Sequence, residues 1–466
     1  MKKNIKLKTG KRITTLEEWQ NWQKENLGKP QVLLGSASNI EVVKNDNILY
    51  SKEDAYGKMR LSVPIDKMNG ISLVLGGMGS GKSNFLRGLQ DRLADYQQII
   101  HDPKTEEYQR SHNPETDALI MPFDKNGIIW DIFGVIREDR NKAMPLFVNF
   151  VNGYRNSGDQ KSSDPEWSAQ AAKWLAKLCL GIINDEVAVE DYALEIAYRW
   201  GEYQKGEGGA QGTTEQSALS VASIGVSTLF KIYHIAAQGQ NRLMTTKEIM
   251  QCRKIFISNH PNHKQALFML NNALLSDLVM EYLSKPNVKT GDISKYSFWF
   301  LDEFLTFNLD KNVQDDLCTM SRSKGICLFA GMQYLPTDTE KQNQLTSSRY
   351  LTVSFREDNK NTLKALSELT EPIKYSVQEY ETSIGSGFKL GGDTSFNEKW
   401  YDTETVVIPE AVISNLPQYV AYLEVNSTKG KMRTFILPPV APDRKVNSGF
   451  EYSEIARNAP MLEELS

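Results

Sequence analysis

Cysteine is scarce in this 466-residue sequence. Its four cysteines, Cys179, Cys252, Cys318 and Cys327, are scattered and form no Cys-x-x-Cys pair. That spacing argues against a zinc ribbon or a disulfide framework, and a reducing cytoplasm is the expected compartment. The one close histidine pair, His260 and His263, has no companion ligands, so a polar loop is expected there. No stretch approaches eighteen uninterrupted apolar residues, and on that measure no membrane span is expected. The charged start Met1-Lys2-Lys3-Asn4 has no apolar core behind it, so no secretory signal is expected there. A basic excess is missing too, since the formal net charge is -4. Proteins that coat nucleic acid carry such an excess, so a phosphate-binding surface here must be local, within a groove or pore. No internal repeat is found.

What is present is ordinary globular material, 40% apolar and 24% charged, long enough for two to four domains. Thr15-Leu-Glu-Glu18 predicts a helix start, with Trp19, Trp22 and Leu27 packing on the main body or on a neighbour. From Ile71, short apolar runs alternate with helical patterns. The runs cover residues 71–75, 98–101, 127–130, 254–257, 297–301, 326–330 and 350–355. Nearly continuous apolar strands of this length suit a mostly parallel sheet buried on both faces, so an α/β core is predicted. Between Pro165 and Met250 the alternation pauses. Trp167, Ala171, Trp174, Leu178 and Ile182 make one helical face, and their tryptophans are expected to be core. Lys205 to Gly212 is a flexible break before a further helix from about Glu215. Leu267, Leu270, Leu274 and Leu278 mark another amphipathic helix. Gly385-Ser-Gly and Gly391-Gly predict loop, and residues 419–425 with 432–437 a hairpin around Lys429-Gly430. The Pro-, Asn- and Glu-rich end is expected to be a loosely held tail.

One segment carries specific chemistry. Gly76-Gly77-Met78-Gly79-Ser80-Gly81-Lys82-Ser83 matches G-x-x-x-x-G-K-[ST] at each fixed position. Glycines let successive backbone N–H groups turn inward on phosphate oxygens. Lys82 can reach the β- and γ-phosphates, Ser83 can bind Mg²⁺, and the helix opening there, with Asn84 in its first turn, adds its dipole. The strand before it and the helical run after it supply the expected context. ATP and Mg²⁺ are therefore the expected ligands.

The second half of such a machine is a strand ending in acids. Phe298-Trp-Phe-Leu301 followed by Asp302-Glu303 fits. Asp302 would hold the Mg²⁺ shell and Glu303 would polarise the attacking water. Gln333, after the run 326–330, is placed to sense the γ-phosphate. Arg322 is a candidate finger acting in a neighbouring subunit's site, with Arg349 and Arg356 as rivals.

Taken in order, these residues resemble the type IV secretion coupling proteins, DNA-translocating ATPases related to FtsK and HerA. Met59 to Ile65 looks like the family's lead-in strand. Ile99-Ile-His-Asp-Pro-Lys104 is similar to its Asp-Pro-Lys-Gly-Glu turn, with Thr105 where the glycine would stand, and Trp130-Asp-Ile-Phe133 to its Trp-Asn-Pro-Phe element. Leu301-Asp-Glu-Phe304, Ser321-Arg-Ser-Lys-Gly325 and Met332-Gln333 complete the set, which covers about residues 55 to 360.

The resemblance implies a RecA-like P-loop fold formed by residues 55–164 and 251–440, with an all-α insertion at 165–250. An N-terminal segment, 1–54, and a C-terminal tail, 441–466, flank it. It further implies a homo-oligomer, a hexameric ring, that moves single- or double-stranded DNA to a secretion channel. Family members are commonly anchored by N-terminal transmembrane helices, and none is expected in this sequence. A form docked on a separate membrane-anchored component is therefore expected, with a relaxase or other secreted protein as cargo. Alternatives are a receptor for protein cargo that uses the helical insertion, a packaging or defence motor of the same class, and a scaffold that binds ATP without turnover.

Overall fold

The computed structural model describes residues 5–9, 16–38, 43–44, 47–48, 60–155, 165–207, 213–239, 241–259, 261–289, 291–347, 349–369, 373–383, 395–405, 410–427, 430–442 and 451–459. The predicted apolar runs become strands with hardly a polar face. Gly70–Leu75, Lys254–Ser258, Ser297–Leu301 and Ile326–Met332 are buried at every residue. Such strands need cover on both sides, which a parallel sheet with crossover helices supplies.

Among the described residues they lie in one sheet of eleven strands. Seven run parallel, in the spatial order Arg349–Ser354, Gly70–Leu75, Ile326–Met332, Ser297–Leu301, Gln97–Asp102, Lys254–Ser258 and Ala118–Ile120. On the far side of Arg349–Ser354, four antiparallel strands extend the sheet: Ala421–Ser427, Gly430–Leu437, Gln31–Ser38 and Arg60–Pro64. The parallel strands point the same way, so the residues that follow them share one edge. The register sets Leu301 beside both Ala330 and His101, and Leu75 beside both Met332 and Ser354.

The predicted hairpin and the lead-in strand are present, and Trp19 and Trp22 bury on the body, with Trp19 donating to the Arg433 carbonyl at 3.4 Å. Leu27 does not follow them: it lies beyond the helix Leu16–Glu25 and is exposed. The strand expected at 127–130 is present as Ile129–Trp130, but outside the main sheet. Gly127 turns back so tightly that a Cβ there would lie 1.9 Å from the Met121 carbonyl oxygen. Ile128 still touches the sheet edge through a parallel bridge to Ile120, and Ile129–Trp130 then pairs with Leu243–Met244 in a separate two-stranded sheet. The three-residue strand Ala118–Ile120 takes the sheet edge instead. Ile5–Thr9, in what was expected to be a polar lead, pairs with Ile373–Ser383.

Pro165–Asn184, Tyr192–Glu207 and Thr213–Ala237 pack together as helices, and Trp167 and Trp200 are core there as expected. Trp174 is only half-buried and packs against Tyr203. The helix Ala143–Arg155 joins this block, packing on both Pro165–Asn184 and Lys264–Ser284. Leu267, Leu270, Leu274 and Leu278 are buried, but so are Asn271, Asn272, Ser276 and Asp277, so Lys264–Ser284 is enclosed rather than amphipathic. Among the described residues one helix, Glu215–Ala237, is long and apolar enough to cross a membrane, and 61% of its most apolar stretch is buried in the protein. Interspersed serines hid it from a search for uninterrupted runs.

The tail is held where it is described. Ser453 N–H donates to the Phe123 carbonyl, Glu451 N–H to the Asp124 carboxylate, and Tyr452 stacks on His263. His263 in turn stacks on Phe123, with centroids 4.1 Å apart. His260, the break at 208–212, Lys429 and both glycine-rich stretches at 385–392 lie outside the described residues.

Candidate nucleotide-binding site

The phosphate loop leaves the central strand at Gly76. Two backbone bonds fix its start, from Gly76 N–H to the Met332 carbonyl (3.2 Å) and from Gly77 N–H to the Arg356 carbonyl (2.9 Å). A Cβ on Gly76 would meet Ser80 Oγ at 2.6 Å and Phe355 Cβ at 2.8 Å, so only glycine passes here. Gly81, at φ 118°, turns the chain into the helix Lys82–Arg92, whose first N–H groups face the loop. Met78 forms an exposed tip. Ser80 Oγ is buried without a hydrogen-bond partner, a state costing about 1–3 kcal/mol. An orphan donor on a loop of inward-turned N–H groups suits an anion.

Asp302 follows the strand two places away in the sheet. Lys82 Nζ lies 3.3 Å from its Oδ1, and Ser83 Oγ donates to its Oδ2 at 2.9 Å. One carboxylate thus gathers the loop lysine and the helix hydroxyl. Gly331, on the strand between, makes room: a Cβ there would lie 2.8 Å from Asp302 Oδ1. Glu303 is in the left-handed region at φ 55°, and its N–H donates to Asp302 Oδ1 at 3.0 Å. A non-glycine residue there carries backbone strain, of a kind that clusters at functional sites. Its side chain is partly exposed and lines a cleft shared with Ser83, Arg87, His101, Lys104 and Asp302.

Gln333 directly follows Met332, whose carbonyl holds Gly76, and is exposed at the same edge. Asn84 is occupied differently from expectation. Its side chain donates to the Pro439 carbonyl at 3.3 Å and accepts from Ala441 N–H at 2.8 Å, so it fastens a C-terminal segment to the helix start. Arg322 stands at the amino end of strand Ile326–Met332, where its carbonyl accepts from Asn69. That is roughly 20 Å, a strand's length, from the edge bearing Lys82 and Asp302. Within one protomer it does not join the site. Arg349 is a structural residue, buried and bonded to Thr352, the Thr346 carbonyl and Glu424. Arg356 is exposed beside the phosphate loop.

The sequence places His101 and Asp102 only within a resembled turn, and marks neither Asn259 nor Glu357. His101 is buried, with Nδ1 2.5 Å from the Asp302 carbonyl oxygen and Nε2 3.2 Å from the Asn259 amide. Burial lowers its pKa to about 4, so the ring is neutral, donating to Asp302 and accepting from Asn259. Asn259 in turn accepts from Asn271 at 2.8 Å on the helix Lys264–Ser284. Asp102 accepts from the N–H groups of Glu106 and Tyr108, while burial lifts its carboxyl to about 7. Thr105, where the resembled turn has glycine, adopts φ 59°, the conformation glycine would take freely. Glu357, after strand Arg349–Ser354, caps Asp358 and Asn359 through Oε1, while its buried Oε2 has no hydrogen-bond partner. Burial raises its carboxyl above the usual range, opposed by those N–H groups and by the charge of Lys82. The available signal was a second apolar strand ending in acids, Phe355-Arg-Glu357-Asp358.

Among solved structures, the chain is similar to the bacterial conjugative coupling protein TrwBdeltaN70, at 15% identity and a TM-score of 0.63 over 96% of each chain. TrwB in complex with ADP and Mg²⁺ matches at 16% identity and a TM-score of 0.62, over 97% of this chain and 99% of that one. VirB4 of Thermoanaerobacter pseudethanolicus matches at 12% identity and a TM-score of 0.51, over 89% and 97%. These likenesses bear out the expected fold, a P-loop core with a mostly parallel sheet and a helical block. No curated protein matches the chain at a significant level by sequence. The family profile for the type IV secretion-system coupling protein DNA-binding domain matches residues 56–433, most of the chain. This chain therefore belongs to the type IV secretion-system coupling proteins.

Proposed function

We propose that the chain hydrolyses ATP in the presence of Mg²⁺ and uses the energy to move DNA, or a DNA–protein cargo, towards a type IV secretion channel. One observation carries the enzymatic part: Lys82, Ser83, Asp302 and Glu303 meet at a single sheet edge around an anion-binding loop. Membership of the coupling-protein family carries the DNA part.

Lys82 brings positive charge to the terminal phosphates, and the loop N–H groups hold them in line. Ser83 and Asp302 offer two oxygen donors within hydrogen-bond distance of each other, the set Mg²⁺ takes in P-loop enzymes. Bound there, Mg²⁺ would offset charge on the phosphate oxygens. Glu303 is the partly exposed carboxylate that takes up the proton of the attacking water. Gln333 sits where an amide can register the terminal phosphate.

The scaffold reading, ATP binding without turnover, has no support from a site that retains a water-activating acid. The protein works as a homo-oligomer, a hexameric ring, in which Arg322 serves a neighbour's site. This is the reading that its distance from its own Lys82 leaves open to it. We read 165–250 as the helical insertion of a nucleotide-binding domain made by 55–164 and 251–440. The chain acts in the cytoplasm, docked on a membrane-anchored secretion component, with a relaxase or another secreted protein among its partners.

The test is ATP hydrolysis by the purified chain with and without single- and double-stranded DNA at low salt, where phosphate contacts are strongest. Stimulation by either DNA supports the reading. Hydrolysis indifferent to both, with no DNA binding, sinks the translocation part and leaves the ATPase.

A further inference from the structure

The acids mark one end of the nucleotide. Asp302 and Glu303 follow a strand two places to one side of the phosphate-loop strand, so the terminal phosphate faces that side. The nucleoside must then leave towards the other side. Two places that way lies the strand Ala421–Ser427, and the turn before it is fastened to the loop.

The fastening is specific. Tyr419 N–H donates to the Ser80 carbonyl at 3.0 Å, and Gln418 Nε2 donates to the Gly79 carbonyl at 3.1 Å. The Tyr419 ring approaches Gly81 so closely that a Cβ there would lie 3.0 Å from its Cδ1. Tyr419 is held at φ 67°, a conformation that bulky residues rarely adopt. Its neighbours Leu416 and Val420 are buried, whereas Tyr419 is 41% exposed. Three residues along from Gly81, Asn84 grips Pro439 and Ala441, and between them Val440 is 78% exposed. An aromatic ring and an aliphatic side chain, both exposed, are thus pinned to the start of the same helix.

We propose that Tyr419 and Val440 form the slot for the nucleobase, with the tyrosine ring stacking on the base and Val440 packing near it. This deepens the ATPase reading and rests on it. The strained backbone and two fastenings give the ring a fixed position before ligand arrives, so little order remains to be imposed on binding. Neither side chain presents an amide or carboxylate to a base edge. The slot therefore accepts adenine and guanine alike, because every base has a π-face.

Inorganic tripolyphosphate, which has no base, separates this role from support of the loop. Binding of ATP, GTP and tripolyphosphate, each with Mg²⁺, is measured by calorimetry on the full chain. The variants are Tyr419→Asn, which tolerates the left-handed backbone but lacks the ring, and Tyr419→Phe, which keeps it. Loss of the ring should weaken ATP and GTP by about tenfold while tripolyphosphate affinity holds. The phenylalanine variant should bind all three as the unaltered chain does. An equal loss for tripolyphosphate would show that Tyr419 only shapes the loop and would overturn the proposal, as would unchanged ATP affinity. An unaltered chain that binds none of the three would overturn the ATPase reading along with the slot.

Discussion

The His101 ring clamps the Asp302 backbone: Nδ1 donates to the Asp302 carbonyl at 2.5 Å from the neighbouring strand. Through Asn259 and Asn271 the same ring connects the acid pair to the helix Lys264–Ser284. His101→Phe keeps the bulk and removes both bonds. Turnover should fall about ten- to a hundredfold with ATP affinity little changed, since the ring sets geometry at Asp302 rather than holding phosphate. A pH series gives a second readout. The folded ring takes up a proton near pH 4, against 6.5 for the free side chain, so the unfolded chain binds the proton first. The contribution is fully present above about pH 6.5 and is lost as the pH falls towards 4, by about 3 kcal/mol in all. Denaturant unfolding from pH 8 to 4 should show a shallower decline in the phenylalanine variant.

Thr105 occupies a left-handed backbone position with a β-branched side chain. Replacing it by glycine relieves that strain and adds flexibility to the unfolded chain, two effects of opposite sign. Relief should win, and Thr105→Gly is expected to raise stability by roughly 0.5–1 kcal/mol. Urea midpoints of the two proteins check this.

Glu424 is nearly fully buried between two arginines, Arg349 and Arg433, each at 2.9 Å. Removing the shared acid leaves two guanidinium charges in the core. Glu424→Ala should cost about 3–5 kcal/mol and lower the thermal midpoint of the whole chain. Arg349→Ala should act through the same network, lowering stability without a special effect at subunit contacts.

Arg322 and Arg356 divide differently. Arg356 follows the strand whose end holds Gly77, while Arg322 lies at the far edge of the sheet. If Arg322 completes a neighbour's site, rings mixed from Arg322→Ala and Glu303→Gln chains should recover part of the hydrolysis that each has lost alone. Verified mixed rings without any recovery would remove that role from Arg322.

Much of the nucleotide site was legible because its chemistry is local in sequence. The loop needs glycines at fixed spacing, and the acids need a strand end, so Gly76 to Ser83 and Asp302-Glu303 stood out. The parts played by His101 and Tyr419 were not legible, because each acts through a partner hundreds of residues away, and Glu357 is marked out from other strand-end acids only by the nearby charge of Lys82. Only the register that sets Leu301 beside His101 shows why an imidazole belongs there. Asn84 was placed by its motif position alone, and its grip on Pro439 and Ala441 needed the C-terminal segment in view. The sheet's parallel core followed from its apolar runs. Its edges did not, since Ala118–Ile120 is too short to register as a run and residues 127–130 carry the right composition but keep a single bridge, Ile128 to Ile120, to that sheet.

Lys82 and Glu303 are expected to serve one nucleotide, the first to hold it and the second to break it. Equilibrium binding of MgATP and steady-state hydrolysis should be measured together on Lys82→Ala and Glu303→Gln. Lys82→Ala should lose binding, whereas Glu303→Gln should bind as before and hydrolyse about 10²–10⁴-fold more slowly. Hydrolysis by Glu303→Gln at the unaltered rate, or undiminished ATP binding by Lys82→Ala, would contradict that division of roles.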